Sequence, residues 1–60
     1  MKLTFVGGRT STDLTVIKET KKFLEFRCND NTMKYRYNKE TKEVQNGTYH
    51  DTIKGMTLEF

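Results

Sequence analysis

This sequence contains no paired-acid motif, no metal-ligand spacing and no Walker sequence, the patterns that would indicate catalysis. The chain contains one histidine, His50, and one cysteine, Cys28. Nucleophilic catalysis requires a base that a third group orients, and Asp51 is badly placed to orient His50, because adjacent residues of a strand point to opposite faces. One cysteine and one histidine are also too few for a structural zinc site, which has four ligands. We therefore expect no enzymatic activity, no metal and no cofactor.

The segment Gly7–Thr12 is the first candidate binding site. It consists of two glycines, an arginine and three hydroxyl residues, in the order Gly-Gly-Arg-Thr-Ser-Thr. Glycines allow backbone N–H groups to converge on an anion, and the planar fork of an arginine suits phosphate. It is not a P-loop, which carries Gly-Lys-Ser/Thr after a four-residue gap. The segment predicts either an anion site that uses Arg9, Thr10 and Ser11, or a flexible connecting loop.

The second candidate is the run Lys-Tyr-Arg-Tyr that ends at Tyr37. Aromatic rings that stack on bases, interleaved with cations that contact phosphates, are typical of single-stranded nucleic-acid platforms. On a strand, however, Tyr35 and Tyr37 would lie on one face, and Lys34 and Arg36 on the other. The sequence leaves two alternatives. Either the tyrosine face is open and binds nucleic acid, or the tyrosines belong to the core and the two cations are solvated.

Lysines flank two of the predicted turns. The element Lys-Glu-Thr-Lys occurs at residues 18–21 and again at 39–42, each time between two strand-like runs. In an up-and-down meander successive turns alternate ends, so the first and third turns would share one end. This predicts either a basic rim or two chance copies of a common surface sequence. The rim would contain Lys18, Lys21, Lys22, Lys39 and Lys42.

Alternation of apolar and polar residues predicts short strands that would position these side chains. The predicted strands are 2–6, 14–18, 23–28, 32–37 and 56–60. Asn46-Gly47 is a preferred dipeptide of a type I′ hairpin turn, whose central residues both need positive φ. Residues 1–60 are therefore predicted to be a single all-β domain of about five short antiparallel strands. It would be a meander, or a small SH3-like or OB-like barrel if the first and last strands pair.

A helix over residues 13–26, in an α+β fold, is the alternative for that region. Thr12-Asp13 could cap such a helix. Against it, the β-branched run Thr15–Ile17 loses χ1 freedom in a helix, and Lys21 would interrupt the apolar stripe. The sequence favours strands and leaves the helix open.

The length of the chain limits its core. A domain of 60 residues buries only about 60% of the surface that its unfolded chain exposes. Small scaffolds usually gain stability from disulfides, a metal or oligomerisation. With one cysteine and one histidine, this chain cannot form an internal disulfide or a structural zinc site, so oligomerisation remains. Many domains of this size nevertheless fold alone. Val6, Ile17 and Phe23 fall outside the predicted core alternation and would form a second apolar face, which is typical of an interface. We expect these residues to serve self-association, as a homo-oligomer, or the docking of a protein partner.

The composition of the chain indicates its cellular location and the kinds of partner that it could bind. The net charge of +3 with interspersed signs favours contact with phosphates or with acidic protein surfaces. The apolar run Leu3–Val6 is too short for a signal peptide or a membrane span, so we expect a cytoplasmic protein with no membrane association. Ten threonines and eight lysines, with no alanine, proline or tryptophan, indicate an AT-rich bacterial or phage genome.

Together these features predict a non-catalytic binding module of a bacterium or phage. The first hypothesis is a protein-interaction module, an inhibitor or modulator of a larger protein, that acts through an exposed apolar and basic sheet surface. The alternative is binding of nucleic acid or a nucleotide phosphate through the basic residues of the sheet and the segment Gly7–Thr12.

Overall fold

The computed structural model describes residues 1–60 and contains seven strands and no helix. The strands are β1 (Lys2–Thr4), β2 (Thr10–Ser11), β3 (Leu14–Glu19), β4 (Phe23–Cys28), β5 (Met33–Asn38), β6 (Glu43–Asn46) and β7 (Thr57–Glu59). The predicted all-β fold is confirmed. The helix over 13–26 is wrong, because this region forms β3 and β4, whose β-branched and aromatic residues suit a pleated sheet. There is accordingly no helix long and apolar enough to cross a membrane.

The strands form two antiparallel sheets. Strands β3, β4, β5 and β6 are neighbours in chain order and make a four-stranded meander. The second sheet has the order β2-β1-β7, so the first and last predicted strands do pair, with Leu3 opposite Leu58. Ser11 lies opposite Leu3 on the other side of β1. The segment 10–11 is therefore a short strand and not only a connecting loop.

The core lies between one face of the meander and the small sheet. Every second residue of β4 is buried, and Phe26 has no exposed surface. Its ring lies 5.7 Å from the ring of Tyr35, which is directly opposite on β5. The complete core consists of Leu3, Leu24, Phe26, Cys28, Tyr35, Tyr37, Val44, Met56 and Leu58. Cys28 is thus a free, fully buried thiol that packs as a small apolar residue.

The turn after β6 differs from the predicted type I′ hairpin turn. Positive φ is absent at Asn46 and Gly47 and occurs instead at His50, with φ 61. The backbone makes one helical turn, in which the His50 amide donates to the Asn46 carbonyl at 2.9 Å. Gly47 is needed for a different reason: a Cβ there would lie 2.7 Å from the backbone carbonyl carbon of Lys34. The dipeptide marks a close approach between chain segments rather than a two-residue hairpin.

Candidate binding surface

The outer face of the four-stranded meander carries most of the charged residues of that sheet. In an antiparallel sheet, residues directly opposite one another share a face, and alternate residues change face. Because Leu24, Phe26 and Cys28 point into the core, the residues between them and their cross-strand partners point outward. We call this outer surface the basic face, defined by its cations Lys18, Arg27, Lys34 and Arg36. Its two acidic residues are Glu25, which is opposite Lys18 and Arg36, and Glu43 at one end of β6.

Two cations of the basic face are directly opposite each other. Arg27 of β4 pairs with Lys34 of β5, and both side chains are exposed. Neither forms an ion pair, since the salt bridges of the molecule are Lys2–Glu59 and Lys39–Glu19. Like charges directly opposite on neighbouring strands are destabilising. The sheet therefore holds two directly opposed positive charges on its open side, neither of them in an ion pair.

Arg36 is fixed beside that pair by two contacts. Its Nε donates a hydrogen bond of 2.8 Å to Oε1 of Gln45, and its guanidinium carbon lies 4.0 Å from the centroid of the Phe23 ring. A cation at that distance over an aromatic ring is attracted to its face. Phe23 does point outward as the alternation predicts, but it is half-buried and partly covered by Arg36. These two contacts thus hold the arginine in a defined position.

The two lysine-rich turns lie at the same end of the meander, as the meander topology predicts. The Lys39 amide donates to the Lys22 carbonyl at 2.8 Å. The Lys39 ammonium contacts a carboxylate oxygen of Glu19 at 2.7 Å and the Thr20 carbonyl oxygen at 2.8 Å. Lys39 is therefore a structural residue of the rim. The other rim lysines are exposed and form no ion pair, namely Lys18, Lys21, Lys22 and Lys42.

Tyr35 and Tyr37 do not form an open aromatic platform. They are 5% and 7% exposed, because both point into the core. The Tyr35 hydroxyl accepts a hydrogen bond of 3.0 Å from the Asn31 side-chain amide, and Tyr37 makes an edge-on contact with Phe60 at 5.4 Å. Base stacking on these rings is therefore blocked. Lys34 and Arg36 lie on the opposite side of β5, as strand geometry requires.

Ser11, one of the three residues predicted to bind an anion in the glycine-rich segment, is already engaged. It is buried, its hydroxyl donates to the Asp30 carboxylate, and its oxygen accepts a hydrogen bond of 3.3 Å from the Asp13 amide. A carboxylate at this position repels a second anion. The hydroxyl of Ser11 thus ties β2 to the turn after β4 and has no free donor for phosphate.

Arg9 and Thr10 are exposed and line a shallow groove of about 510 Å³. The groove has one apolar wall, formed by Phe5 and Val6, and it also contains the carboxylate of Asp30. One cation opposite one carboxylate gives the groove little net positive charge. The basic face is more positive, because its four cations outnumber its two carboxylates, Glu25 and Glu43.

The three residues predicted to form a second apolar face lie in separate surroundings. Val6 is exposed in the groove beside Gly55, Ile17 is half exposed on β3, and Phe23 lies beneath Arg36. Ile17 has an exposed apolar neighbour in Val16 instead, at 50% and 48% exposure. The exposed apolar residues of the meander are therefore Val16 and Ile17 on β3 and Met33 on β5.

Arg27 is the residue of this surface that sequence reasoning missed. Period-2 patterning shows which face a residue occupies, whereas cross-strand partners depend on the register. A usable signal was the four-residue turn between Cys28 and Met33, because antiparallel pairing of these two residues places Arg27 opposite Lys34.

The chain matches no protein-family model, no curated protein and no solved structure. Its function is therefore inferred from the surface itself.

Proposed function

We propose that this protein is a non-catalytic binding module that docks an acidic surface of a larger protein on its basic face and thereby inhibits or modulates that protein. The single observation that carries the proposal is the direct opposition of Arg27 and Lys34, neither of which forms an ion pair. Two like charges held opposite each other lower the stability of the free sheet. Carboxylates of a partner would relieve that repulsion, so the unfavourable charge in the free protein becomes favourable in the complex.

The composition of the surface favours a protein partner over nucleic acid. Arginines and aromatic rings are enriched among the residues that contribute most to protein interfaces, and Arg36 over Phe23 combines the two. Strand β3 adds one half-exposed apolar side chain to this face, Ile17, which the bulge places beside Lys18. Exposed aromatic rings for stacking, which single-stranded nucleic-acid binding uses, are not supplied by the buried Tyr35 and Tyr37.

The size of the module suits this mode of action. A standard interface buries about 800 Å² on each partner, and the whole chain exposes 4187 Å². An interface of standard size would therefore cover about one fifth of the exposed surface, which is roughly one face of the meander. We place the module in the cytoplasm of a bacterium or phage-infected cell, where a free thiol such as Cys28 stays reduced.

A charge-matched pair of variants tests the proposal. Arg27→Gln/Lys34→Gln removes the opposed cations, and Arg9→Gln/Lys54→Gln removes the same charge elsewhere. Binding is measured by titration of poly-glutamate, a carboxylate probe, into labelled protein with NMR detection at low salt. We expect the first variant to bind at least about tenfold more weakly than the natural sequence, equivalent to ~1.4 kcal/mol, and the control to change by much less.

Three outcomes would contradict the proposal. Equal losses in both variants would mean that binding follows net charge only. Chemical-shift changes confined to the Arg9 groove would move the site there. Tight, strongly salt-dependent binding of single-stranded DNA, with no response to poly-glutamate, would instead favour the nucleic-acid alternative.

A further inference from the structure

We infer that the free edge of β3 pairs with β3 of a second copy of this chain, in a symmetric antiparallel arrangement centred on Thr15. Strand β3 is at the end of the four-stranded sheet and pairs only with β4. Five of its six residues are exposed and the sixth, Leu14, is half-buried. An edge strand of this length presents unpaired backbone groups that another chain can complete.

The register of β3 on β4 shows which backbone groups are free. The Asp13 carbonyl accepts a hydrogen bond from the Asn29 amide, and Thr15 is opposite Arg27. Backbone groups alternate in direction along an antiparallel strand, so the N–H and C=O groups of Val16 and the C=O group of Leu14 face outward. The Leu14 amide is engaged with the Thr12 carbonyl at 3.0 Å. The Val16 amide of each copy therefore donates to the Leu14 carbonyl of the other.

The side chains are complementary in the same register. On the core side, half-buried Leu14 meets Val16 of the second copy, which is 48% exposed in the single chain. The register shift between Val16 and Lys18 is a bulge, in which two residues face one residue of a neighbour. Ile17 and Lys18 thus lie together opposite Asp13 of the second copy, and symmetry forms this opposite-charge contact twice.

The bulge and Lys18 also select this register over others. Both features are devices by which proteins protect a sheet edge from indiscriminate pairing. A pairing centred on Val16 would place Asp13 opposite Glu19, two like charges. The bulge and the charges therefore disfavour pairing of this edge with most other strands. They favour pairing with β3 of a second copy, in which Asp13 contacts Lys18.

The resulting assembly is one continuous eight-stranded sheet. The symmetry axis of an antiparallel pair is perpendicular to the sheet, so the basic faces of both copies lie on the same side. Dimerisation does not depend on the proposed acidic partner, and either inference can fail alone.

Hydrogen exchange at increasing protein concentration tests the interface directly, together with mass from light scattering. We expect a dimer to form as the concentration rises, with growing protection of the Val16 amide. The Thr15 amide, which faces β4, serves as the internal reference and should not change. A single-chain mass at the highest soluble concentration would overturn the inference. So would a dimer in which the Val16 amide still exchanges as fast as in dilute solution.

A charge swap tests the register. Lys18→Glu places like charges opposite Asp13 of the second copy, and we expect the dimer to weaken by roughly tenfold or more. The same change also places like charges opposite Glu25 of its own chain, an effect that a substitution of Asp13 leaves in place. Adding Asp13→Lys should restore most of that loss. Lys54→Glu makes the same charge change away from β3 and should leave the dimer unchanged. Melting temperatures in dilute solution check that each variant is folded. If the double variant dimerises no better than Lys18→Glu, the assigned register is wrong.

Discussion

The two faces of the four-stranded meander are built from the same strands and behave in opposite ways. On β4 the inward residues Leu24, Phe26 and Cys28 are almost fully buried, while Arg27 between them is exposed and faces another cation. Side chains of the inner face cannot change size without loss of stability, because a protein core is close-packed. On the outer face Arg27 and Lys34 are exposed to water, which screens their charges, so the sheet tolerates their opposition. Alternation along one strand thus separates the residues that maintain the fold from those available for recognition.

The strongest test of this difference is Phe26→Ala on the inner face. Removing a fully buried phenylalanine costs about 3–5 kcal/mol, and a core of this size rarely supplies more than about 3–5 kcal/mol. We expect the variant to be largely unfolded at room temperature in circular dichroism. The matched variant is Arg27→Ala, one residue along the same strand, which should unfold within about 0.5 kcal/mol of the natural sequence. Similar losses of stability in both variants would show that the two faces do not differ in their contribution to the fold.

Gly47→Ala should cause the next largest loss of stability. It tests a position on the outer side of the sheet where even one added methyl group does not fit. The added Cβ would lie 2.7 Å from backbone atoms of Lys34, so β5 or the turn must move. Overpacking of this kind costs about 1–3 kcal/mol, measurable as a lower denaturant midpoint. Thr48→Ala, in the same turn but exposed, should change stability by less than about 0.5 kcal/mol. An unchanged midpoint for Gly47→Ala would mean that the turn does not pack on β5.

Much of the fold could be predicted from local patterns. The alternation over 23–28 and 32–37 correctly assigned Tyr35 and Arg36 to opposite faces of the sheet, because the period of a strand is fixed by its backbone. Two features could not be predicted in this way. The contact of Gly47 with Lys34 and the bond between Ser11 and Asp30 both join distant parts of the chain. Glycine and hydroxyl residues have the same local signature whether they form a turn, bind an anion or connect two segments.

The candidate site was predictable in part, for the same reason. Lys34 and Arg36 were identified by their pattern, and the meander topology correctly placed the two lysine turns together. The partner of Lys34 depends on cross-strand register, which the turn between β4 and β5 determines. Strand β3 has an open edge because β1 belongs to the second sheet, and local patterns do not show how strands divide between two sheets.

A smaller effect is expected for Tyr35→Phe, which removes a polar group from the inner face without changing its packing. The Tyr35 hydroxyl accepts a hydrogen bond from Asn31, an exposed residue that can bond water instead. The net loss should be about 0.5–1.5 kcal/mol in chemical denaturation. Asn31→Ala, which removes the donor, provides the comparison, although it also loses the bond from the Met33 amide to the Asn31 side chain. A loss above about 3 kcal/mol for Tyr35→Phe would show that the hydroxyl has a further structural role.

The smallest predicted effect has the opposite sign and separates the two faces most sharply. Arg27→Gln/Lys34→Gln removes the repulsion between directly opposed cations, so the variant should be more stable than the natural sequence by about 0.2–1 kcal/mol. Salt screens exposed charges over about 10 Å at 0.1 M, and the gain should therefore shrink as salt is added. Substitutions that stabilise a protein while weakening its binding mark residues retained for function at a cost in stability. Thermal unfolding of this variant and of Arg9→Gln/Lys54→Gln, at low and high salt, measures the difference. If the face variant is less stable at low salt, the two cations help to hold the sheet together, and their arrangement is no longer a reason to place a partner there.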